Sequence, residues 1–416
     1  MKLYIDPGTG SMLFTILIGL LGVFRYLFKS WLVKLRFLFN GGRKIEVNND
    51  RLPLVIFSDD KRYWNVFEPI CRELALRNFP VVYMSASEDD PALKTELPNL
   101  KGEFIGNDNR AFAKLNFLNA DLVLSTTPGL DVYQWKKSRD VGCYVHIFHA
   151  ASDVTLYRMF GIDYYDSLLI SGEYHVKQIR ALEKLRNLPP KELLKVGIPY
   201  MDEMLKRVKA APLVKNKIRT VLLAPSWGES AILNRYGAKI IDLLLATGYH
   251  IIIRPHPQSF KSEKAMMDKL MQAYPESEQL EWNRDNDNFA VLHRSDILIS
   301  DFSGVMFDFA LVFDKPIIYT DTNFDKGPYD AWWLDEELWT FEILPSLGMN
   351  LKADNLERLK ELIDTCIDDV RFTQGRELAR QETWEHQGEG AKRVADFLVN
   401  KYQELKAKEA MEITKE

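Results

Sequence analysis

Cysteine is scarce in this chain, with three residues, Cys71, Cys143 and Cys366, among 416. Their odd number and wide spacing exclude a disulfide framework and a cysteine-based metal site, leaving small buried hydrophobes in a reducing compartment. No Walker loop, zinc-ligand spacing or Ser-His-Asp arrangement can be made out, so three common catalytic plans drop away. Gly8-Thr9-Gly10 is no dinucleotide fingerprint either, because no strand precedes it and the third glycine is missing. Also absent is a basic, aromatic-laced stripe, which argues against nucleic acid as a partner. What is present is 46% hydrophobic and 12% aromatic residues, enough to bury a large core in two domains or more.

The net charge of −5 conceals an asymmetry. Residues 1–44 hold seven Lys or Arg against one acid, Asp6, which leaves 47 basic and 58 acidic residues, a net of −11, for the remainder. Within that basic head, residues 8–28 are small and apolar apart from Arg25, close to the ~20 residues a spanning helix needs. Phe28, Trp31, Leu32, Leu35, Leu38 and Phe39 then recur at helical spacing among the bases, as in an interfacial helix. Phe28, Lys29 and Trp31 stand where a secretory signal would need a small-residue cleavage site. Residues 1–44 are therefore expected to anchor the chain to the cell membrane, either spanning it or lying in its surface. The positive flank places the body on the cytoplasmic side.

After Lys44 short apolar runs alternate with amphipathic ones. Residues 54–57, 80–84, 122–125, 142–148 and 167–170 read as strands, with a helical pattern at 65–76 between the first two. A second series follows at 220–224, 250–253, 297–300 and 316–320, with a helix over 238–246. Such alternation implies parallel sheets covered by helices on both faces. The expected division is an anchor at 1–44, a doubly wound acceptor domain at 45–207, a linker at 208–217, a doubly wound nucleotide-donor domain at 218–372, and helices at 373–416 that pack back. Ligands of such sheets sit at the carboxyl ends of the strands, so the residues there carry the chemistry.

One strand ends in Arg254-Pro255-His256-Pro257, where the prolines stiffen the backbone around a phosphate-suited arginine and a proton donor. A structural strand cap is the plainer reading. Another runs into Asp301-Phe302-Ser303-Gly304 before a helical pattern at 305–311. There the amides of Ser303, Gly304 and Val305 would face a phosphate at a helix N-terminus, and simple capping by Asp301 or Ser303 is the competitor. In the first half, His149 at a strand end is the candidate general base. His146 reads as core, while His175, His293 and His386 read as solvent-facing or capping groups. Ser152 and Asp153, just after His149, are assigned to the acceptor side. Asp285-Asn286-Asp287 reads as a turn and not as a metal triplet, and neither metal nor cofactor is expected.

Taken together these residues resemble the CDP-glycerol glycerophosphotransferase family, the teichoic-acid primase and polymerase group with a two-domain GT-B fold. The resemblance rests on Ala224-Pro225-Ser226-Trp227, on the Arg-Pro-His-Pro segment, and on Ser295-Asp296 through Asp301-Phe302-Ser303 to Phe307-Asp308. Gly197-Ile198-Pro199 with Asp202, and residues 388–393, add to it. The family departs from this chain where Ala150-Ala151-Ser152 replaces Gly-Thr-Pro after the histidine, and where Tyr200 stands for an arginine. The resemblance implies attack by an acceptor hydroxyl, on a lipid-linked carrier or growing polymer of teichoic-acid or capsule type, at the glycerol-bearing phosphorus of CDP-glycerol, with release of CMP. It implies His149 as base and His256 as helper at the phosphates. Arg254, Asp301, Ser303 and Gly304 would hold the diphosphate, with Ser226 and Trp227 on the nucleotide side. A nucleotide-sugar donor on the same fold, or a scaffold without turnover, are the competing readings.

Overall fold

The computed structural model describes residues 51–413, apart from Asp108, Asn286, Phe302 and 321–323. The expected anchor at 1–44 lies outside the described residues. Among the described residues no helix is long and apolar enough to cross a membrane.

Two parallel sheets form the body. The first holds β1 (Leu52–Ser58), β2 (Val81–Ser85), β3 (Leu100–Phe104), β4 (Ala120–Ser125), β5 (Val141–Ile147), β6 (Ser167–Ile170) and β7 (Glu192–Lys195), in the spatial order β3-β2-β1-β4-β5-β6-β7. The second holds β8 (Thr220–Leu223), β9 (His250–Ile253), β10 (Leu280–Trp282), β11 (Ile297–Ser300), β12 (Ile317–Thr320) and β13 (Gly348–Leu351), ordered β10-β9-β8-β11-β12-β13. Every pairing between these strands is parallel. The central strands are apolar runs because helices cover both their faces: Leu54, Val55, Ile56 and Phe57 of β1 are all fully buried.

The first sheet has one apolar cluster on each face. In the second half, a cluster around Leu222, Ile252 and Leu298 also takes in Tyr174, Ile198, Met201, Met204 and Trp384, so the two halves share a core on that side. The helix Gly390–Ile413 returns to the first sheet. There Val394, Ala395 and Leu398 pack with Leu54 and Ile56, and Asp396 accepts from Arg77 at 2.7 Å.

Buried carboxylates fix how the halves meet. Asp153, from the first half, accepts the amides of Trp339 (2.8 Å) and Thr340 (2.9 Å) and the Thr340 hydroxyl (2.6 Å), capping the helix Trp339–Leu347 of the second half. Asp330 does the reverse, accepting the amides of Phe160 (2.6 Å) and Gly161 (3.3 Å) and pairing with Arg186. Asp202 accepts the indole N–H of Trp384 and the amides of Gly388 and Gly390, at 2.7–2.9 Å, and so holds the start of the returning helix. Gly197 makes this junction possible. It has φ +81°, and a Cβ there would lie 2.3 Å from the Glu385 carbonyl oxygen, too close for any side chain.

Three boundaries differ from the sequence reading. The helix Pro199–Ala210 runs into the stretch 208–217 expected as linker, and stops only where Pro212 lacks an N–H to continue it. The expected boundary at 372/373 falls inside the helix Val370–Thr383, whose N-terminus is capped by Asp369. The helical pattern at 305–311 is a short turn, Val305–Phe307, continued by a π-helical turn, Asp308–Val312.

Removing the Asp153 carboxylate leaves three buried donors on the second half without an acceptor. Asp153→Ala should therefore cost about 2–4 kcal/mol in denaturant unfolding, and Asp153→Asn, which keeps one acceptor oxygen, clearly less. Equal midpoints for wild type and Asp153→Ala would remove this clamp from the account.

Candidate active site

The strand ends of the two sheets face one another across a cleft of about 860 Å³. From the first half it is lined by Arg62, Tyr63, Arg72, His149 and Ala150, and from the second by Ala224, Pro225, Arg254, His256, Ser303, Gly304 and Asp308. Tyr200, Glu203, Met204 and Arg207, on the helix Pro199–Ala210, close one side.

His149 sits two residues past β5, partly exposed to the cleft. Its Nδ1 lies 2.7 Å from the hydroxyl of Thr126, which follows β4 and is buried. The Tyr63 ring packs on it with centroids 4.9 Å apart. Thr126 thus occupies Nδ1 and leaves Nε2 for a ligand. Burial, and after it the positive charge of Arg62, lower the imidazole pKa to about 4. The ring is neutral at physiological pH and free to take a proton.

His256 follows β9 on the other wall. Its Nδ1 accepts the Gln258 amide at 3.1 Å, which again leaves Nε2. Burial first, and Arg62 next, lower its pKa as well. Arg254 is half-buried with both terminal nitrogens engaged, one on the Asn283 side-chain oxygen and one on the Asp285 carbonyl at 2.7 Å. Its guanidinium is held stiff, and each terminal nitrogen keeps one N–H for a ligand in place of the open fork expected from the sequence.

Other sequence expectations need correction. The Ser303 amide, expected to be free, donates to the Asp301 carbonyl at 2.9 Å, so it is the hydroxyl of Ser303 that remains for a phosphate. The Asp301 carboxylate is buried and accepts the amides of Ser226 (2.7 Å) and Ile232 (2.9 Å). It shapes the loop after β8 and makes no wall of the cleft, as suits a group that would repel phosphate. Ser226 and Trp227 are likewise absent from the lining, where Ala224 and Pro225 stand instead, and Trp227 is half exposed. Asp153 belongs to the clamp between the halves and not to an acceptor site, since its oxygens are taken up by the Trp339–Leu347 helix. Ser152 offers its carbonyl oxygen to His175 Nε2 at 2.8 Å. His175, expected to face solvent, is fully buried against Phe148 and Tyr174. Its polar sequence neighbours hid a helix face turned inward. His146 is core, with Nε2 3.2 Å from the Tyr157 hydroxyl. Asp287 caps the helix after the acidic turn, accepting the Phe289 amide at 3.0 Å.

Among the lining residues that carried no function in the sequence reading are Arg62 and Asp308. Arg62 has no strand-end signature, since it lies in a single 3-10 turn, Lys61–Tyr63. Asp308 was quoted only as part of a motif, and burial raises its carboxyl to a pKa of about 7.

Two facing doubly wound sheets, with arginines and histidines at their carboxyl ends, define a GT-B type architecture. The chain belongs to the CDP-glycerol:poly(glycerophosphate) glycerophosphotransferase family, which it matches over residues 155–398. It is therefore a transferase of the glycerophosphotransferase kind, and His149 lies just ahead of the matched segment. Among solved structures, two variants of the wall teichoic acid polymerase TagF, one soaked with CDPG, are similar at 14% and 15% identity with TM-scores of 0.53 and 0.56. Each alignment covers 91% of this chain and 98% of TagF. The UDP-GlcNAc 2-epimerase of Methanocaldococcus jannaschii is similar at 15% identity and a TM-score of 0.55, over 84% of this chain and 99% of the epimerase. No curated protein matches the chain.

The His149 ring offers a direct check. In the ligand-free protein its C2 proton, assigned by its loss in His149→Gln, should titrate near pH 4. A midpoint near 6.5, the ordinary imidazole value, would show that burial and the charge of Arg62 do not act on the ring.

Proposed function

We propose that this chain transfers glycerol phosphate, or a similar polyol phosphate, from a CDP-activated donor to a hydroxyl acceptor in the synthesis of a teichoic-acid-like polymer. The observation that carries the reading is the opposed pair of histidines: His149, held by Thr126, on one wall, and His256, with Arg254 and the Ser303 hydroxyl, on the other. Membership of the family supports the donor and the polymer class.

In this reaction the acceptor oxygen attacks the phosphorus that bears glycerol, and the bond from that phosphorus to the CMP oxygen breaks. His149 Nε2 takes the hydroxyl proton. CMP departs as an anion, and the charge growing on it is met by Arg254, His256 and Ser303, groups already fixed in place before the reaction. The chemistry supports the wall assignment, because an uncharged imidazole can accept a proton, while a fixed arginine and hydroxyl donors suit the diphosphate.

Residues 1–44 supply attachment to the cell membrane with the body on the cytoplasmic side, the face where nucleotide-activated donors are made. Their basic, apolar composition supports this. Whether the segment spans or lies in the surface does not alter the chemistry.

CMP release from CDP-glycerol, followed with wild type and variants, tests the reading. His149→Gln should lower kcat by about 10²–10⁴-fold. Thr126→Val, which removes the hydroxyl that orients the ring, should lower kcat with little change in donor KM, and Thr126→Ser should restore most of it. Wild-type turnover in the His149→Gln protein would rule out this base.

A further inference from the structure

Four arginines line the cleft, Arg62, Arg72, Arg207 and Arg254, and three of them have at least one terminal nitrogen engaged. Arg72 pairs with Glu203 at 2.6 Å and Arg207 with Asp287 at 2.5 Å. Arg254 has its terminal nitrogens on Asn283 and the Asp285 carbonyl. Arg62 differs. Its Nε donates to Asp60 Oδ1 at 3.0 Å, and its own backbone amide donates to the same oxygen at 2.9 Å. Among the described residues no acceptor takes either terminal nitrogen. The guanidinium is thus fixed at its root by Asp60, the cap of its 3-10 turn, while its side chain is 73% exposed.

Its place in the cleft is as informative as its open valence. The next residue, Tyr63, packs on the ring of His149, so the turn that supports the base also carries the cation. Arg62 belongs to the same wall as His149, opposite the wall of Arg254, His256 and Ser303 that suits a diphosphate. Its charge also reaches His256, yet the donor's phosphates already meet Arg254, His256 and the Ser303 hydroxyl in the reading above. A second anion site on the base's wall fits an acceptor that brings a phosphate of its own.

We propose that Arg62 is the acceptor-phosphate anchor: its two free terminal nitrogens grip the last phosphate of an incoming glycerophosphate chain and so bring the terminal hydroxyl, three carbons away, against His149. This assignment rests on the transferase reading above and adds to it the residue that selects an anionic acceptor. Arginine is suited to the task because its planar fork meets two phosphate oxygens at once. The arrangement also couples the two steps. Until the acceptor arrives, the positive charge of Arg62, only partly offset by Asp60, depresses the proton affinity of His149. Once a phosphate neutralises it, the imidazole becomes a stronger base, with the hydroxyl already in place.

The test uses the full chain, a synthetic glycerol phosphate oligomer with a free terminal hydroxyl, an uncharged glycerol monoalkyl ether, and CDP as a donor-side probe. Calorimetry should find oligomer binding at least about tenfold weaker in Arg62→Gln, with Arg62→Lys between it and wild type. Affinity for CDP should change by less than about twofold. In CMP-release assays the preference for oligomer over the uncharged ether, as a ratio of kcat/KM values, should fall by at least about tenfold in Arg62→Gln, mainly through acceptor KM. Unchanged oligomer affinity in Arg62→Gln, or an equal loss for oligomer and CDP, would overturn the assignment. A wild type that releases no CMP from CDP-glycerol would count against the transferase reading alone, because the binding comparison still decides the role of Arg62.

Discussion

The cleft depends on carboxylates buried between two sheets that share no strand pairing. Asp153 and Asp330 each reach across to take backbone N–H groups from the opposite half. A buried carboxylate is costly unless its oxygens are saturated with donors, so these contacts tolerate little change of distance or angle. Asp330 is braced further by Arg186, which also binds Asp163 at 2.6 Å and lies against the Phe160 and Trp333 rings at 4.9 and 5.2 Å. Apolar packing alone would let the halves slide. Directional N–H contacts set the separation at which a base on one wall meets a phosphate on the other.

Within that frame the electrostatics are uneven by construction. Cations from both walls converge on the cleft, and two histidines there have depressed proton affinities while Asp308 has a raised one. Titratable groups in one site whose pKa values are driven apart can hold different protonation states at one pH. Here the neutral imidazole of His149 stands near the positive charge of Arg62, the condition under which a bound anion does most to sharpen the base.

Most of the architecture was legible in the sequence, and what was missed shares one cause. Runs 167–170, 250–253 and 297–300 coincide with β6, β9 and β11, and the helix at 238–246 is the one observed. The four strands that went unread, β3, β7, β10 and β13, are the four sheet edges. Edge strands are short, half-exposed and often polar, as in Leu-Lys-Gly-Glu-Phe of β3, so they lack the apolar run that marks an interior strand. The site followed the same division. His149, Arg254, His256 and Ser303 line the cleft where the sequence reading placed them, because strand ends can be located from sequence. Asp153 and Asp301 were misread as ligand-facing, since a strand-end carboxylate that clamps backbone amides looks the same in sequence as one that meets substrate. Arg62 was missed because its position follows from a single turn whose approach to His149 is tertiary.

The central claim is that this cleft takes a CDP-activated polyol and transfers its phosphate-bearing unit. Incubating the full chain with CDP-glycerol and, in parallel, with UDP- and GDP-sugars, each with a glycerol phosphate oligomer, and measuring which nucleotide is released tests it most directly. The account predicts CMP from CDP-glycerol together with an oligomer lengthened by glycerol phosphate. Consumption of a UDP- or GDP-sugar with CDP-glycerol left intact would contradict it.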